Sequence, residues 1–166
     1  MKILFGFITC SFLIVSSCKK SSTGDAKSPA YEVKATVVIS PTSTITINAT
    51  GSKAKMGRAV LGAGTYVEGT NEANAAVYIS YVNYANSLCV TSPGTYNFSC
   101  EYRKNVADPN TPIFSNNGTN PGSITFTTIN DHYMQGTFTA VCWCNSSGCV
   151  FGVDFVNVSG TFKGDY

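Results

Sequence analysis

Apolar side chains in this 166-residue chain recur at every second position, and no long stretch repeats them every third or fourth. That spacing lines one face of an extended strand, so the chain is restricted to β structure with one buried side. Tyr31, Val33, Ala35, Val37 and Ile39 make such a face up to Pro41, and Ile45, Ile47 and Ala49 make the next before Gly51-Ser52. A short third strand is expected over Arg58 to Leu61, and a fourth from Gly64-Thr65-Tyr66-Val67. Ala75 to Tyr84 is apolar on both faces, as in a buried strand, although Asn71 to Ala76 also suits the opening of a short helix. Further strands are expected over Thr95 to Arg103 and Ser123 to Ile129. Beyond the turn at Asn130-Asp131, Tyr133 to Cys144, Cys149 to Val156 and Ser159 to Lys163 complete a meander. Lys104 to Pro121, rich in Asn, Pro and Gly, reads as the longest irregular segment, pinned to the core by Ile113 and Phe114. The expected fold is all-β: a single-domain antiparallel β-sandwich or small β-barrel of about eight to ten short strands.

One triplet recurs: Gly64-Thr65-Tyr66, Gly94-Thr95-Tyr96, Gly136-Thr137-Phe138 and Gly160-Thr161-Phe162. The expectation is that glycine permits a turn or bulge at strand entry, threonine faces outward and the ring turns into the core. The uneven spacing of the four copies excludes a solenoid or propeller.

Ahead of the β pattern stands Met1-Lys2, then an apolar run from Ile3 to Val15. As a helix that run spans about 20 Å, short of a hydrocarbon core of roughly 30 Å, so it reads as a cleaved signal. It ends in Val15-Ser16-Ser17-Cys18, which has the form of a bacterial lipobox: a branched apolar residue, two small ones, then the cysteine that takes the lipid. Residues 1–17 are therefore expected to be a lipoprotein signal peptide. Residues 18–29, with no large apolar side chain, read as a lipid-anchored flexible tether, and 30–166 as the all-β domain. Two or three acyl chains on Cys18, at about 0.8 kcal/mol per buried CH₂, hold such a protein on a membrane almost permanently.

The formal net charge is +2, falling to +1 once Lys2 leaves with the signal, and only 12% of residues are charged. There is no basic stripe, which argues against nucleic acid as a partner. Of seven cysteines, Cys10 leaves with the signal and Cys18 is lipidated. The other five belong to an exported, oxidising compartment where disulfides are the default. Cys144 and Cys149 flank Asn145-Ser146-Ser147-Gly148, a four-residue turn that would set them opposite one another on a hairpin, so they are the expected disulfide. Cys89 with Cys100, across the Pro93-Gly94 turn, is the next pair, leaving Cys142 free. A Cys100–Cys142 pair leaving Cys89 free competes with it, and both stay open.

The lipobox, the two Gly-Thr-Tyr strand starts, the run Gly122-Ser123-Ile124-Thr125-Phe126-Thr127, and then Gly136-Thr137-Phe138 and Gly160-Thr161-Phe162 together resemble small lipoproteins of Bacteroidetes-type bacteria. The likeness covers most of residues 44–166. It implies an all-β domain on the outer membrane and carries over no catalytic residue, since that family has no settled activity. Cys142, Cys144 and Cys149 depart from its pattern. Lys19 follows the anchor where an aspartate would retain many lipoproteins on the inner membrane, so an outer-membrane anchor is expected. The tether lacks the acidic cluster linked to surface export in these bacteria, which favours a periplasm-facing domain over the cell surface.

Catalytic constellations are absent from the sequence. His132 is the only histidine, and its neighbour Asp131 would point to the other side of a strand. No Gly-x-Ser-x-Gly elbow, His-Glu-x-x-His helix, phosphate loop, calcium loop or carboxylate pair occurs. A zinc site from Cys142, Cys144 and Cys149 with Cys100 or His132 has the wrong spacing and the wrong redox compartment, so neither metal nor cofactor is expected. Trp143 alternates with Cys142 and Cys144 and faces away from them. A lone tryptophan more commonly lies in the core, with the cysteines outside; the reverse would leave it free to stack on a sugar or a partner. The expected function is a non-enzymatic cell-envelope module binding a protein, glycan or envelope component through its loops, especially Lys104 to Pro121. The alternative is a carrier of a small apolar ligand in a calyx-like barrel lined by inward rings.

Overall fold

The computed structural model describes residues 30–59, 64–81, 89–116, 120–146, 149 and 154–166. The proposed signal, Cys18 and the tether lie outside the described residues. Within them run β1 (Glu32–Ser40), β2 (Ser43–Thr50), β3 (Ala54–Ala59), β4 (Gly64–Thr70), β5 (Ala76–Tyr81), β6 (Gly94–Arg103), β7 (Ile113–Ser115), β8 (Gly122–Ile129), β9 (Tyr133–Cys144) and β10 (Phe155–Asp165). All pair antiparallel in one sheet, ordered β2-β1-β10-β9-β7-β6-β5-β4-β3, with β8 also joining β6 to β9. The sheet rolls until its ends stack. A Cβ on Gly69 of β4 would stand 2.8 Å from Val33 Cγ1 and 3.3 Å from Ala49 Cβ, so β4 lies face to face with β1 and β2. The all-β expectation holds, as a single rolled sheet combining features of sandwich and barrel.

Strands β6, β8, β9 and β7 close a small hydrogen-bonded ring, and the registers explain it. β8 pairs with Gly94 to Phe98 of β6 and β7 with Glu101 to Arg103, so the two short strands share one lane between β6 and β9. Where the chain leaves that lane, Asn116 fills the gap. Its backbone N–H donates to Cys100 O at 3.0 Å, its Oδ1 accepts from Cys100 N at 2.8 Å, and its Nδ2 donates to Phe98 O at 2.8 Å. The side-chain amide thus stands in for a missing peptide group.

The repeated triplet proves to be a cross-strand device. Gly136-Thr137-Phe138 and Gly160-Thr161-Phe162 lie opposite each other in antiparallel register, so each glycine faces the other's phenylalanine. An added Cβ at Gly136 would meet Phe162 Cζ at 2.7 Å and one at Gly160 would meet Phe138 Cζ at 2.4 Å. Each ring lies flat over the bare backbone of the neighbouring strand. The pattern spreads sideways: Gly94, Phe126, Gly136, Phe162 and Val33 form one inward row, and Tyr96, Ile124, Phe138, Gly160 and Ala35 the next. Rings continue edge to face through the interior, from Tyr81 to Tyr96 at 5.3 Å, Tyr96 to Phe126 at 5.9 Å and Phe126 to Phe162 at 5.3 Å. The expectation of glycine at strand entry is right for Gly64 and Gly94, which open their strands at φ 58° and 154°. It is corrected for Gly136 and Gly160, which lie inside β9 and β10 because the partner ring needs the room.

Other elements also differ from the sequence reading. β3 begins earlier than Arg58, and 60–63 lie outside the described residues. Residues 71–74 form a turn, not a helix: Asn71 Oδ1 accepts from Ala75 N at 2.9 Å and Asn74 takes φ 63°. A register shift between Val38 and Ser40 in the β1–β2 pairing turns Ile39 outward, 38% exposed. β10 runs unbroken through Asn157 and Val158, where two strands were expected, because β9 pairs with it along its whole length.

Two stability predictions follow from these contacts. Replacing Gly160 by Ala puts a Cβ 2.2 Å from Lys34 O on backbone that cannot yield cheaply, and should cost about 3 kcal/mol in urea denaturation. Thr161→Ser on the outer face should stay within about 0.5 kcal/mol. Tyr102 is 1% exposed, and among the described residues its hydroxyl has no hydrogen-bond partner. Burial pushes its pKa up to about 12, so it stays neutral in the folded protein after the unfolded chain ionises near 10.0. Stability should therefore fall as pH rises from 10 towards 12, by about 3 kcal/mol at most. Tyr102→Phe should remove that fall and add about 1 kcal/mol at pH 7.

Candidate functional site

Strand alternation decides which side chains reach solvent. Because Phe138, Ala140, Cys142 and Cys144 of β9 point inward, Thr137, Thr139, Val141 and Trp143 point out. On β10 the same logic brings out Phe155, Asn157, Ser159 and Thr161. Most of this outer surface is neutral and hydroxylated. Thr95, Thr125, Thr137 and Thr161 run across four strands, and the first two share a 2.9 Å hydrogen bond.

An apolar patch interrupts it at one end. Trp143 and Phe155 are register partners with ring centroids 5.1 Å apart. Phe155 is 45% exposed, Val141 beside it 39%, and Trp143 half-buried. The cysteines, not Trp143, are the core residues here, which reverses the commoner arrangement favoured from sequence. Beta pairing forces the choice: Phe114 of β7 lies opposite Cys144 and Ser115 opposite Trp143, and Phe114 packs inward against Tyr102.

Ser115, the register partner of Trp143, also lines a groove of about 540 Å³ together with Tyr78, Ser80, Ser99, Glu101 and Arg103 among others. Arg103 Nε donates to Glu101 Oε1 at 2.6 Å, and its guanidinium lies 5.8 Å from the centre of the Tyr78 ring. Asn145 Nδ2 donates to Ser115 Oγ at 2.6 Å, which leaves the Ser115 proton free to donate.

A second groove, about 580 Å³, lies under the Lys104 to Pro112 loop, the stretch from which sequence expected binding. Its polar groups serve the loop itself. Asn105 Oδ1 accepts from Ala107 N and Asp108 Oδ1 from Asn110 N, while Val106 N donates to Asn74 O. His132 is exposed in the β8–β9 turn, where its N–H donates to Asn130 Oδ1 at 2.9 Å. Asp131 stands 3.9 Å from Arg58, whose guanidinium also donates to Tyr166 Oη and Asn130 O and lies over the Tyr166 ring. That knot fastens the C-terminus and presents no nucleophile to His132.

Cys144 and Cys149 are joined by a disulfide, with Cα atoms 6.2 Å apart. The hairpin geometry expected for it is corrected. Cys144 N donates to Asp154 O, so the residue opposite Cys144 on the neighbouring strand is Asp154 and not Cys149. Cys100, the expected partner of Cys89, is instead a free thiol, as is Cys142. Cys89 stands five residues before β6, whereas the extended strand carries Cys100 about 20 Å beyond the start of β6. Cys142 Sγ donates to Cys100 O at 3.7 Å. The contact with Cys142, together with burial, raises the Cys100 pKa well above the ordinary thiol value. Native protein treated with iodoacetamide at pH 8 should therefore leave Cys100 and Cys142 unmodified until denaturant is added. Rapid labelling of either in the folded state, read by peptide mapping, would contradict the burial. Comparison with protein-family models, curated proteins and solved structures finds no match for this chain.

Proposed function

We propose that the chain is a lipid-anchored, non-enzymatic module of the cell envelope. It binds an envelope component through the outer face of its sheet where β9 and β10 expose Trp143, Phe155 and Val141. The observation that carries this reading is the outward-facing ring pair, Phe155 exposed and Trp143 half-buried against it, since large apolar side chains grouped on an outer surface commonly mark a binding site. The inward rings pack on one another through the interior, which supports a surface-binding module over a calyx carrier. The lipobox at Val15-Ser16-Ser17-Cys18 and the tether to residue 29 support an outer-membrane anchor with the domain facing the periplasm. The partner on this reading is a glycan or protein of the envelope, and the membrane contact runs through the lipid on Cys18 alone.

The test has two parts. Cys18→Ala should abolish labelling by a clickable fatty acid and move the protein from the membrane to the soluble fraction. Trp143→Ala and Phe155→Ala, checked for folding by circular dichroism, should each weaken retention on purified cell-wall and outer-membrane preparations by about tenfold or more. Retention equal to the wild type in both ring variants would overturn the reading.

A further inference from the structure

We infer that the ligand of this face is a neutral oligosaccharide lying across the strands along Tyr78, Glu101, Ser115, Trp143 and Phe155. The inference rests on the proposed binding face and names its ligand class. These five residues come from five strands, and each is the register partner of the next: Tyr78 with Glu101, Glu101 with Ser115, Ser115 with Trp143, Trp143 with Phe155. All five point outward, because Val77, Ile79, Cys100, Tyr102, Cys142, Cys144 and Val156 beside them are core. Four interstrand steps of about 4.8 Å make a row of roughly 19 Å, the length of about four sugar rings.

The chemistry along the row matches a sugar chain better than a protein. Aromatic rings stand at both ends, and a pyranose offers an apolar C–H face to such rings. Between them lie the Glu101 carboxylate and the Ser115 hydroxyl, with the Arg103 guanidinium on one side of the row and the Ser80 and Ser99 hydroxyls on the other, all able to exchange hydrogen bonds with sugar hydroxyls. Glu101 and Arg103 cancel in charge and brace each other, so the groove selects neither an anion nor a cation. The apolar part comprises Val141, Trp143 and Phe155, little beside the roughly 800 Å² that a stable protein interface buries on each partner. Every member sits on a strand, and the Tyr78 ring is held under Arg103, so little ordering is needed on binding.

Trp143 is the only tryptophan in the chain, so its emission reports directly on the site. The experiment titrates the full-length lipidated protein, in a detergent without a sugar headgroup, with linear cello-, manno-, xylo- and malto-oligosaccharides from disaccharide to hexasaccharide. Oligogalacturonate and chitosan oligomers serve as charged comparators. At least one neutral series should give a saturable change in Trp143 emission, with affinity rising up to the tetrasaccharide and then levelling. Tyr78→Ala, at the far end of the row, should weaken tetrasaccharide binding about tenfold while leaving the disaccharide unchanged. A saturable response in none of the neutral series, tighter binding of a charged series, or an unaltered tetrasaccharide affinity in Tyr78→Ala would overturn the inference. If Trp143-dependent retention on envelope preparations persists while no oligosaccharide binds, only the ligand class fails. If that retention is also absent, the binding face fails with it.

Discussion

The exchange of glycine against aromatic ring across neighbouring strands is the constraint on which this sheet rests. At Gly136 and Gly160 the backbone of the next strand comes so close that a Cβ would stand 2.1 Å from Thr125 O and 2.2 Å from Lys34 O. Only glycine fits there, and the bare patch it leaves is covered by Phe162 or Phe138 from the opposite strand. A glycine inside a strand ordinarily weakens it, by entropy and by lost packing. The covering ring restores the packing, and its edge-to-face contacts with the next ring add about 0.5–1.5 kcal/mol each. Where these rings turn inward, alternation turns Thr95, Thr137 and Thr161 of the same triplets out to solvent.

That constraint shows which parts of the fold were legible in the sequence. Alternation identified nearly every described strand, because burial on one face is a local property of the chain. The triplet announced itself too, with ring inward and threonine outward in three of its copies; in Gly64-Thr65-Tyr66 the faces are reversed, with Thr65 buried and its Oγ1 accepting from Val90 N. The glycine was misread at Gly136 and Gly160, because the ring that occupies the vacant space comes from a strand some two dozen residues away, and register is a property of pairs. The same blindness explains the cysteines. Cys144 and Cys149 are near enough in sequence to be matched, yet their hairpin was not: the ladder between β9 and β10 runs on to Asp154. Ile39 followed the alternation until one register shift turned it out.

The candidate site is legible only after the fold. Tyr78, Glu101, Ser115, Trp143 and Phe155 are separated by 12 to 28 residues and share no local motif. A row that crosses strands at right angles samples each strand once, so its chemistry is scattered along the chain and assembled by pairing alone. Alternation could say that Trp143 and the cysteines lie on opposite faces. Which face is core depended on β7, a strand of three residues inside the segment that read as irregular.

That short strand links site and scaffold. β7 occupies its lane because Asn116 completes the β6 hydrogen bonds just after it and because the loop following β9 closes over it. Asn145 N donates to Ile113 O, Asn145 Nδ2 to Ser115 Oγ, and Ser146 Oγ accepts from Ile113 N. The Cys144–Cys149 disulfide constrains that same loop, and both sulfurs lie 3.6 Å from Ser146 O. A bridge across so few residues adds only about 2 kcal/mol through the unfolded chain. Its larger effect is local: it holds Asn145 and Ser146 against β7, and β7 sets Ser115 beside Trp143. The order of the candidate row thus depends on a staple outside it, which joins the stability of the loop to the shape of the surface it borders.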